Sequence, residues 1–160
     1  MIRYAIYHSP IGQITISTDG ASVSGVHIEG DRYFTHVPDE WKQDQDEPLL
    51  QRTQIELDKY FAGLLTEFTI PITFQGTEFQ QLAWRALREI PIGTTISYGE
   101  LAKRIERPDA VRAVGTAIGR NPICIIIPCH RVLASNGSLG GYVAGVERKQ
   151  HLLHLEKKHS

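Results

Sequence analysis

The sequence predicts an α/β protein, with a small N-terminal half built on an antiparallel sheet and a mostly helical C-terminal half. Apolar and polar residues alternate early in the chain, which is the period of a half-buried strand. Beyond Gly76, apolar residues recur at helical spacing behind clear helix-start signals. The 160 residues, 41% of them hydrophobic, can bury a real core as one domain or two small ones. We place the boundary at Gly76, which divides the chain into residues 1–75 and 76–160.

The first half contains the strand signals. Alternation from Ile11 to Ser17 predicts one strand, Asp19-Gly20 offers turn chemistry, and the run from Val23 to Ile28 predicts a second strand. The acidic, proline-containing stretch from Val37 to Pro48 predicts a loop. An amphipathic helix that ends near Gly63 follows, and its apolar face consists of Leu50, Leu57, Phe61 and Leu64.

Two helix starts in the second half have the spacing of a capping box, in which the side chains of the cap and of the third helical residue each bond the other's backbone N–H. Thr77 to Gln80 is the first. Its helix has an apolar stripe formed by Phe79, Leu82, Ala83, Ala86 and Ile90. Ser97 to Glu100 is the second. Its helix has a stripe formed by Tyr98, Leu101, Ala102 and Ile105.

A third helix is predicted after the tight turn at Arg107-Pro108, with Asp109 as its N-cap. It ends at Gly119 or Arg120, before Asn121-Pro122. Its buried stripe is expected to be Val111, Val114 and Ile118. Together with the preceding short helix it forms a helix-turn-helix candidate.

The exposed face of this third helix carries almost no side chains. It is formed, at three- and four-residue spacing, by Arg112, Gly115, Thr116 and Gly119. Such a face lets the helix backbone lie very close to DNA while one arginine projects. The alternative is a helix–helix contact that needs small residues.

Charge is distributed unevenly between the halves. Residues 1–75 carry 5 Lys and Arg against 11 Asp and Glu, a net charge of −6, whereas residues 76–160 carry 12 against 7, a net charge of +5. A basic half suggests contact with a polyanion. A positive face that is merely solvated is the other interpretation.

Composition argues against a membrane protein and against a disulfide-rich secreted one. No apolar run approaches the roughly 20 residues of a membrane span, and the N-terminal residues lack the apolar core of a signal peptide. The two cysteines, Cys124 and Cys129, are five positions apart and poorly placed for a structural disulfide. We therefore expect a cytoplasmic protein without a membrane partner.

The strongest chemical signal lies at Cys129. The β-branched run from Ile123 to Ile127 predicts a buried strand that delivers this cysteine next to His130 and Arg131. A thiolate is the nucleophilic form, and a nearby imidazole or cation lowers the thiol pKa. Cys129 is therefore a candidate nucleophile, although a buried, inert cysteine is the alternative. Cys124, among isoleucines, is expected to be a small apolar filler.

Glu156 is the candidate partner of the histidine. It lies on the last helix, which runs from about Glu147, and Leu152 and Leu153 put it on or near the apolar face. A carboxylate there is costly unless it is paired. Holding one ring nitrogen of His130 would fix the tautomer and stabilise the imidazolium. A solvent-exposed glutamate at a helix end remains the alternative.

The stretch from Ile127 to Val132 resembles the Pro-Cys-His-Arg active-site signature of the O6-alkylguanine-DNA alkyltransferases. The similarity extends over five further motifs, namely Gly76–Gln81, Ile96–Tyr98, Arg112–Gly115, Asn121-Pro122 and Gly140–Tyr142. It covers about the last 85 residues in register. The first half fits more loosely, mainly through Ser9–Gly12.

The resemblance implies a ribonuclease H-like N-terminal domain and a winged helix-turn-helix in the C-terminal domain. It also implies a monomeric DNA-repair enzyme that acts once, without a cofactor, on double-stranded DNA containing O6-alkylguanine. In this family the damaged nucleotide is flipped out of the duplex. The alkyl group then passes from O6 of guanine, or less readily O4 of thymine, to a cysteine of the protein.

The family's reacting residues have matches in this sequence. Cys129 matches the acceptor, His130 the base that acts through a water, and Glu156 the residue that orients the histidine. Asn121 matches the hinge between the recognition helix and the active-site loop. Tyr98 matches the hydroxyl that crowds the flipped base's phosphate and helps to protonate the departing purine.

The resemblance also implies a DNA-binding set and a base pocket. Arg112 matches the finger that fills the gap left by the flipped nucleotide, and the other DNA-binding matches are Tyr98, Thr95, Ala113 and Gly115. The pocket matches are Ile118, Val132, Tyr142 and Val143. Carbonyls at Cys129 and Val132 would receive the exocyclic amine, and the N–H of Val143 would meet O6.

Two departures from the family concern metal binding and pocket width. Residues 1–75 contain no cysteine, and His8, His27 and His36 lack a convincing ligand spacing, so we expect no metal. Val143-Ala144 replaces smaller residues found in many relatives.

Two other functions remain open from the sequence: a helix-turn-helix regulator with Cys129 in its core, and a Cys-His-Glu hydrolase of small esters or amides.

Overall fold

The computed structural model describes residues 1–159 and has a mixed α/β architecture, with a sheet at the N-terminal end and helices in the C-terminal region, as the sequence predicts. The sheet has the strand order β3-β2-β1-β4. Its strands are β1 (Arg3–Ser9), β2 (Gly12–Thr18), β3 (Val23–Ile28) and β4 (Lys42–Gln43). β1, β2 and β3 are antiparallel neighbours, whereas β4 pairs with β1 in parallel.

The sequence predicted two of these four strands. β2 and β3 are confirmed, although Ile11 lies in the turn before β2 rather than in the strand. β1 was missed because its inward positions carry a small residue and a tyrosine, Ala5 and Tyr7, rather than a run of aliphatic side chains. β4 lies inside the predicted loop, and its parallel pairing with β1 depends on a distant segment that local sequence does not report.

The first helix, α1 (Pro48–Phe61), is confirmed and ends before Gly63, which has a φ of +77°. The carboxylate of Glu47 caps its start by accepting from two backbone N–H groups, and Pro48 occupies the first turn, where no N–H partner is needed. Leu64 was wrongly assigned to its apolar face. It lies beyond the helix end and is 78% exposed.

The second helix, α2 (Glu78–Leu87), has the predicted capping box. Thr77 Oγ1 accepts from Gln80 N–H at 3.1 Å, and Gln80 Oε1 accepts from Thr77 N–H at 3.0 Å. Its most deeply buried residues include Trp84, which the predicted stripe omitted. The indole N–H of Trp84 donates to Ala117 O at 2.9 Å and so ties α2 to the helix α4 (Val111–Gly119).

The next helix, α3 (Tyr98–Arg104), follows the short strand β5 (Ile96–Ser97). Ser97 Oγ accepts from Glu100 N–H at 3.0 Å, which is half of the predicted capping box. The other half is replaced, because Glu100 Oε1 instead faces Arg104 Nε at 3.4 Å. The turn between α3 and α4 is closed by Ala110 N–H donating to Arg107 O.

The prediction for α4 was correct at its end and wrong at its start. The helix ends at Gly119, but its N-cap is Ala110 and no side chain caps it. Asp109 lies one residue before the observed N-cap, because the turn between the two helices extends to Ala110. Val111 was wrongly expected in the core and is 41% exposed, whereas Val114 and Ile118 are buried as predicted.

The segment from Asn121 to Pro128 forms a buried closed loop rather than the predicted strand. Asn121 Nδ2 donates to Ile127 O at 2.8 Å, and Asn121 Oδ1 accepts from Ile123 N–H at 2.9 Å, so one side chain closes the loop. Ile125 takes a φ of +72°, outside strand geometry. The prediction failed because a short β-branched run has the same pattern in a buried strand and in a buried loop.

This loop joins the two halves of the chain. Cys124 N–H donates to Val26 O at 3.0 Å, and Val26 N–H donates to Pro122 O at 3.0 Å, so the loop adds to the edge of β3. One cluster of buried apolar side chains contains residues of both halves. The loop from Asn121 to Pro128 is therefore held between the sheet and the helices.

The remaining elements follow the loop. A 3₁₀ turn (Cys129–Arg131) leads into β6 (Val132–Leu133), which pairs in parallel with β5, and the chain then reaches α5 (Val146–His159). None of the helices within residues 1–159 is long and apolar enough to cross a membrane. The division of the chain at residue 76 stays a prediction.

Replacing Thr77 with alanine is expected to lower the free energy of unfolding by about 1 kcal/mol, because it removes the capping box of α2. Urea denaturation measures this loss. Thr66→Ala is the matched control, since Thr66 is an exposed threonine outside any helix. A loss of less than about 0.3 kcal/mol relative to that control would contradict the capping role.

Candidate active site

Cys129 opens the 3₁₀ turn and lines a cavity of about 370 Å³. The side chain is only 2% exposed, so the sulfur is reached through this cavity. Seven residues assigned to the site from the sequence border the cavity, namely Tyr98, Arg112, Gly115, Ile118, Cys129, Tyr142 and Val143. These residues come from α3, α4, the 3₁₀ turn and the loop before α5, so the fold brings together positions that are distant in sequence.

The other candidates lie behind or beside the cavity. Asn121, His130 and Glu156 are buried behind Cys129. Val132 is buried as well, and its carbonyl, which was expected to meet the base, accepts from Lys149 Nζ at 2.7 Å. The remaining two candidates are exposed, Ala113 on α4 and Thr95 just before β5.

His130 and Glu156 form a short buried pair. The distance from His130 Nε2 to Glu156 Oε2 is 2.6 Å, and both side chains are almost fully enclosed. Because an ionised carboxylate only accepts hydrogen bonds, Nε2 carries the proton. Nδ1 has no hydrogen-bond partner among the described residues. The imidazole therefore presents one open lone pair, which is the arrangement that a general base needs.

Glu156 is also held by Arg131. The guanidinium donates from Nε to Oε1 at 2.8 Å and from Nη2 to Oε2 at 3.0 Å, while Nη1 donates to Ile90 O at 2.6 Å. Burial alone would raise the pKa of Glu156, but the hydrogen bonds and positive charges of His130 and Arg131 outweigh it and lower the pKa to about 2. The carboxylate is therefore ionised at neutral pH.

Burial lowers the pKa of His130, because enclosure disfavours the imidazolium more strongly than Glu156 favours it. Arg131 and Lys149 act in the same direction as burial. At neutral pH the ring is therefore a neutral base beside an ionised carboxylate.

The Cys129 thiol has a lowered pKa. The largest cause is a hydrogen bond from the Cys124 thiol, which outweighs burial, and a hydrogen bond from Asn121 and the charge of Lys149 add to it. Cys124 is buried in the apolar core, as the sequence predicts, and it has a second effect that was not predicted, namely that it helps to lower the pKa of Cys129. Both cysteines are free thiols.

Lys149 is a site residue that sequence reasoning missed. It lies on α5, is fully buried, and donates from Nζ to Val132 O at 2.7 Å and to Gly141 O at 3.1 Å. Burial lowers its pKa to about 8. Its position three residues after Val146 gave no sequence signal, since a lysine on a polar helix is usually solvated.

Tyr98 lies between α4 and the loop that carries Tyr142. A Cβ atom at Gly140 would stand 3.1 Å from the Tyr98 hydroxyl oxygen, so the bare glycine makes room for the ring. Burial and the nearby Cys129 sulfur raise the pKa of Tyr98. The phenol stays protonated and can donate a hydrogen bond toward the cavity.

Two residues of the N-terminal half, Arg32 and Tyr33, also border the cavity and were missed. The guanidinium carbon of Arg120, the residue that ends α4, stands 3.9 Å from the centroid of the Tyr33 ring. This cation–π contact fastens the N-terminal half to the end of α4. No local pattern around Tyr33 indicates it, since the contact depends on the packing of two distant segments.

No group of three or more His, Cys, Asp or Glu side chains within residues 1–159 is arranged to hold a metal ion. Two buried polar atoms beside Cys129, His130 Nδ1 and the Tyr142 hydroxyl, have no hydrogen-bond partner among the described residues. The chemistry that the site offers is that of an activated thiol, a neutral imidazole and hydrogen-bond donors around one cavity.

Two family models match this chain. Residues 2–74 match the family model of the 6-O-methylguanine DNA methyltransferase ribonuclease-like domain, and residues 78–158 match that of the 6-O-methylguanine DNA methyltransferase DNA binding domain. Together these matches span nearly the whole chain.

Individual relatives are similar over almost their full length. A methylated-DNA–protein-cysteine methyltransferase of Methanosarcina acetivorans is 45% identical, over 96% of this chain and 97% of the relative. One from Haemophilus influenzae is 44% identical, over 98% of this chain and 87% of the relative. The crystal structure of Mycobacterium tuberculosis OGT in complex with DNA superimposes with a TM-score of 0.91 at 42% identity, over 99% of this chain and 94% of that chain.

The contact between the two thiols gives a test of the electrostatics. Because the sequence has only two cysteines, Cys124→Ala and Cys124→Ser each leave Cys129 as the single thiol. Serine retains a hydroxyl donor and alanine does not. We expect the pKa of Cys129, followed by thiolate ultraviolet absorbance against pH, to be higher in the alanine variant by on the order of one unit. Equal values in the two variants would show that residue 124 does not stabilise the thiolate.

Proposed function

The chain belongs to the 6-O-methylguanine DNA methyltransferase family, and we propose that it repairs DNA by transferring an alkyl group from O6 of guanine to Cys129. It is a methylated-DNA–protein-cysteine methyltransferase that acts once and is consumed. The observation that carries the assignment to Cys129 is its place in a cavity beside the bare face of α4, with the His130–Glu156 pair behind it. O4-alkylthymine is the expected minor substrate.

The chemistry explains why a thiol is the acceptor. In the transfer, the Cys129 thiolate attacks the alkyl carbon, a carbon–sulfur bond forms, and the bond from that carbon to O6 breaks. The electron pair of the broken bond goes to the purine, which must be protonated. The product is a stable thioether, which none of the surrounding side chains can hydrolyse, so each molecule repairs one base.

His130 and Tyr98 are assigned opposite proton transfers. His130 Nδ1 takes the thiol proton through a water, and Glu156 on Nε2 stabilises the imidazolium that forms. Tyr98, with its raised pKa, donates toward the departing purine. Asn121 closes the loop that precedes Cys129 in sequence and thereby links the end of α4 to the nucleophile.

The base pocket is assigned to the deep part of the cavity. Ile118, Tyr142 and Val143 border it, and the N–H of Val143 is proposed to donate to O6. Val132 is buried, and its carbonyl accepts from Lys149 Nζ. The exocyclic amine is assigned to the carbonyls of Cys129 and Val132, since a carbonyl that accepts from Lys149 keeps a second lone pair.

Double-stranded DNA is the partner of the basic half. The base must leave the duplex to reach Cys129, because the sulfur is enclosed by the cavity. We assign Arg112 to the gap that the flipped nucleotide leaves, since it lies on the exposed face of α4 at the cavity edge. Gly115, Ala113 and Thr95 are assigned to the DNA backbone, which small side chains allow to approach closely.

Membership of this family also supports a more detailed assignment of the fold. We propose that α3 and α4 form the helix-turn-helix, that the β5–β6 pair and the segment after it form the wing, and that the N-terminal sheet has the ribonuclease H-like arrangement. The tight turn that joins α3 to α4 and the exposed first turn of α4 support this assignment.

Mass spectrometry tests whether Cys129 is the acceptor of the alkyl group. After incubation with a duplex that contains O6-methylguanine, the intact protein should gain one methyl group, on a peptide that contains Cys129. Cys129→Ala should abolish the gain and retain DNA binding. Cys124→Ala should still react, with a loss of stability on the order of 1 kcal/mol. A duplex with unmodified guanine is the control, and a methyl group found on Cys124 would contradict the assignment.

Base flipping is tested through Arg112. Arg112→Ala should slow single-turnover transfer more than it weakens DNA binding, because it removes the side chain assigned to the gap. An abasic site or a mismatch opposite the lesion should restore part of the rate, since less stacking must then be broken. Arg85→Ala, on α2 beside Phe74, is the matched loss of one positive charge. Equal behaviour of the two variants would argue against the role of Arg112.

A further inference from the structure

Tyr60 of the N-terminal half reaches the reactive site through one hydrogen bond. It lies near the end of α1, is 2% exposed, and its hydroxyl donates to Glu156 Oε2 at 2.6 Å across 96 residues of sequence. Burial, followed by the carboxylate charge, raises the pKa of Tyr60 well above its ordinary value. The phenol is therefore a permanent donor to this carboxylate.

The oxygen that Tyr60 contacts is the one that holds the histidine. Glu156 Oε2 accepts from Tyr60 Oη, from His130 Nε2 and from Arg131 Nη2, whereas Oε1 accepts from Arg131 Nε. Donors that share one oxygen compete for its negative charge. Each added donor stabilises the ionised carboxylate and reduces the share left to stabilise an imidazolium.

We propose that Tyr60 is a positioning residue for the transfer reaction, which fixes the Glu156 carboxylate and limits how strongly it holds a proton on His130. This role rests on the proposed function, because it acts through the base assigned to Cys129. It also gives the N-terminal half a part in the chemistry, through Glu156 and His130. The hydroxyl sets both the orientation of the carboxylate and the basicity of the imidazole.

Other charged and titratable groups surround the pair. The positive charges of Arg131 and Lys149 oppose the imidazolium, and Arg131 lowers the pKa of Tyr60 while Glu156 raises it. On the cavity side, Tyr142 lies near Tyr60 and near the two thiols, Cys124 and Cys129, and burial raises its pKa. Replacing Tyr60 with phenylalanine changes none of these charges, so its effect reports the hydrogen bond.

The expected effect has a definite sign. Without the Tyr60 hydroxyl, Glu156 Oε2 loses a donor and stabilises the imidazolium more strongly, so the pKa of His130 rises. A larger fraction of the protein then carries a protonated, inactive base at a given acidic pH. In Tyr60→Phe, the acidic limb of the single-turnover rate against pH should move to higher pH by roughly half a unit or more.

Tyr7→Phe is the matched control. The Tyr7 hydroxyl also donates to a carboxylate at 2.6 Å, that of Asp58 on the same helix α1, but Asp58 does not contact His130. The two variants lose the same kind of hydrogen bond, so a purely structural effect should appear in both. Thermal unfolding of each variant reports that structural effect separately.

A second variant guards against loss of folding in Tyr60→Phe. A fluorinated tyrosine incorporated at position 60 alone keeps the hydroxyl and makes it a stronger donor. The acidic limb should then move in the opposite direction, to lower pH. The same substitution at position 7 should leave the limb unmoved.

The outcomes separate this inference from the proposed function. Absence of methyl transfer in the unaltered protein would overturn the function itself. Normal transfer in the unaltered protein, with the same acidic limb in the Tyr60 and Tyr7 variants, would overturn the role of Tyr60 and leave the function standing. Opposite shifts for the phenylalanine and fluorotyrosine variants at position 60 would support it.

Discussion

The ionised carboxylate of Glu156 is the interaction on which the rest of the site depends. A buried charge is tolerated only when it is paired and hydrogen-bonded, and removing a partner typically costs about 3–5 kcal/mol. Here the partners come from two elements, with Tyr60 on α1 and both His130 and Arg131 on the 3₁₀ turn, and Glu156 itself lies on a third element, α5. The same hydrogen bonds that make the carboxylate tolerable therefore hold the sheet half, the reactive turn and the last helix together.

The Cys129 sulfur does not contact Glu156, but its position depends on the same packing of the two halves. Asn121 closes the loop that precedes Cys129, and Val26 on β3 bonds that loop to the sheet, so the thiol is fixed at one wall of the cavity. Cys124 and Lys149 then supply a thiol donor and a positive charge that favour the thiolate. Another wall is formed by α4, whose glycines Gly115 and Gly119 border the cavity.

The features that local sequence patterns encode could be predicted. The capping box at Thr77, the end of α4 and the pairing of His130 with Glu156 follow from spacing and from the cost of burying a carboxylate. The loop that contains Ile125 could not be distinguished from a strand, because both bury a β-branched run. Tyr60 and Lys149 were missed because they reach the site by tertiary packing alone.

The tautomer of His130 at neutral pH tests the central claim most directly. Nitrogen-15 NMR of the imidazole reports which ring nitrogen carries the proton. The structure requires a neutral ring with the proton on Nε2, facing Glu156, and an unprotonated Nδ1. That result would establish the base and its orienting carboxylate in their resting states. A proton on Nδ1 alone, or a fully protonated imidazolium at pH 7, would contradict the account.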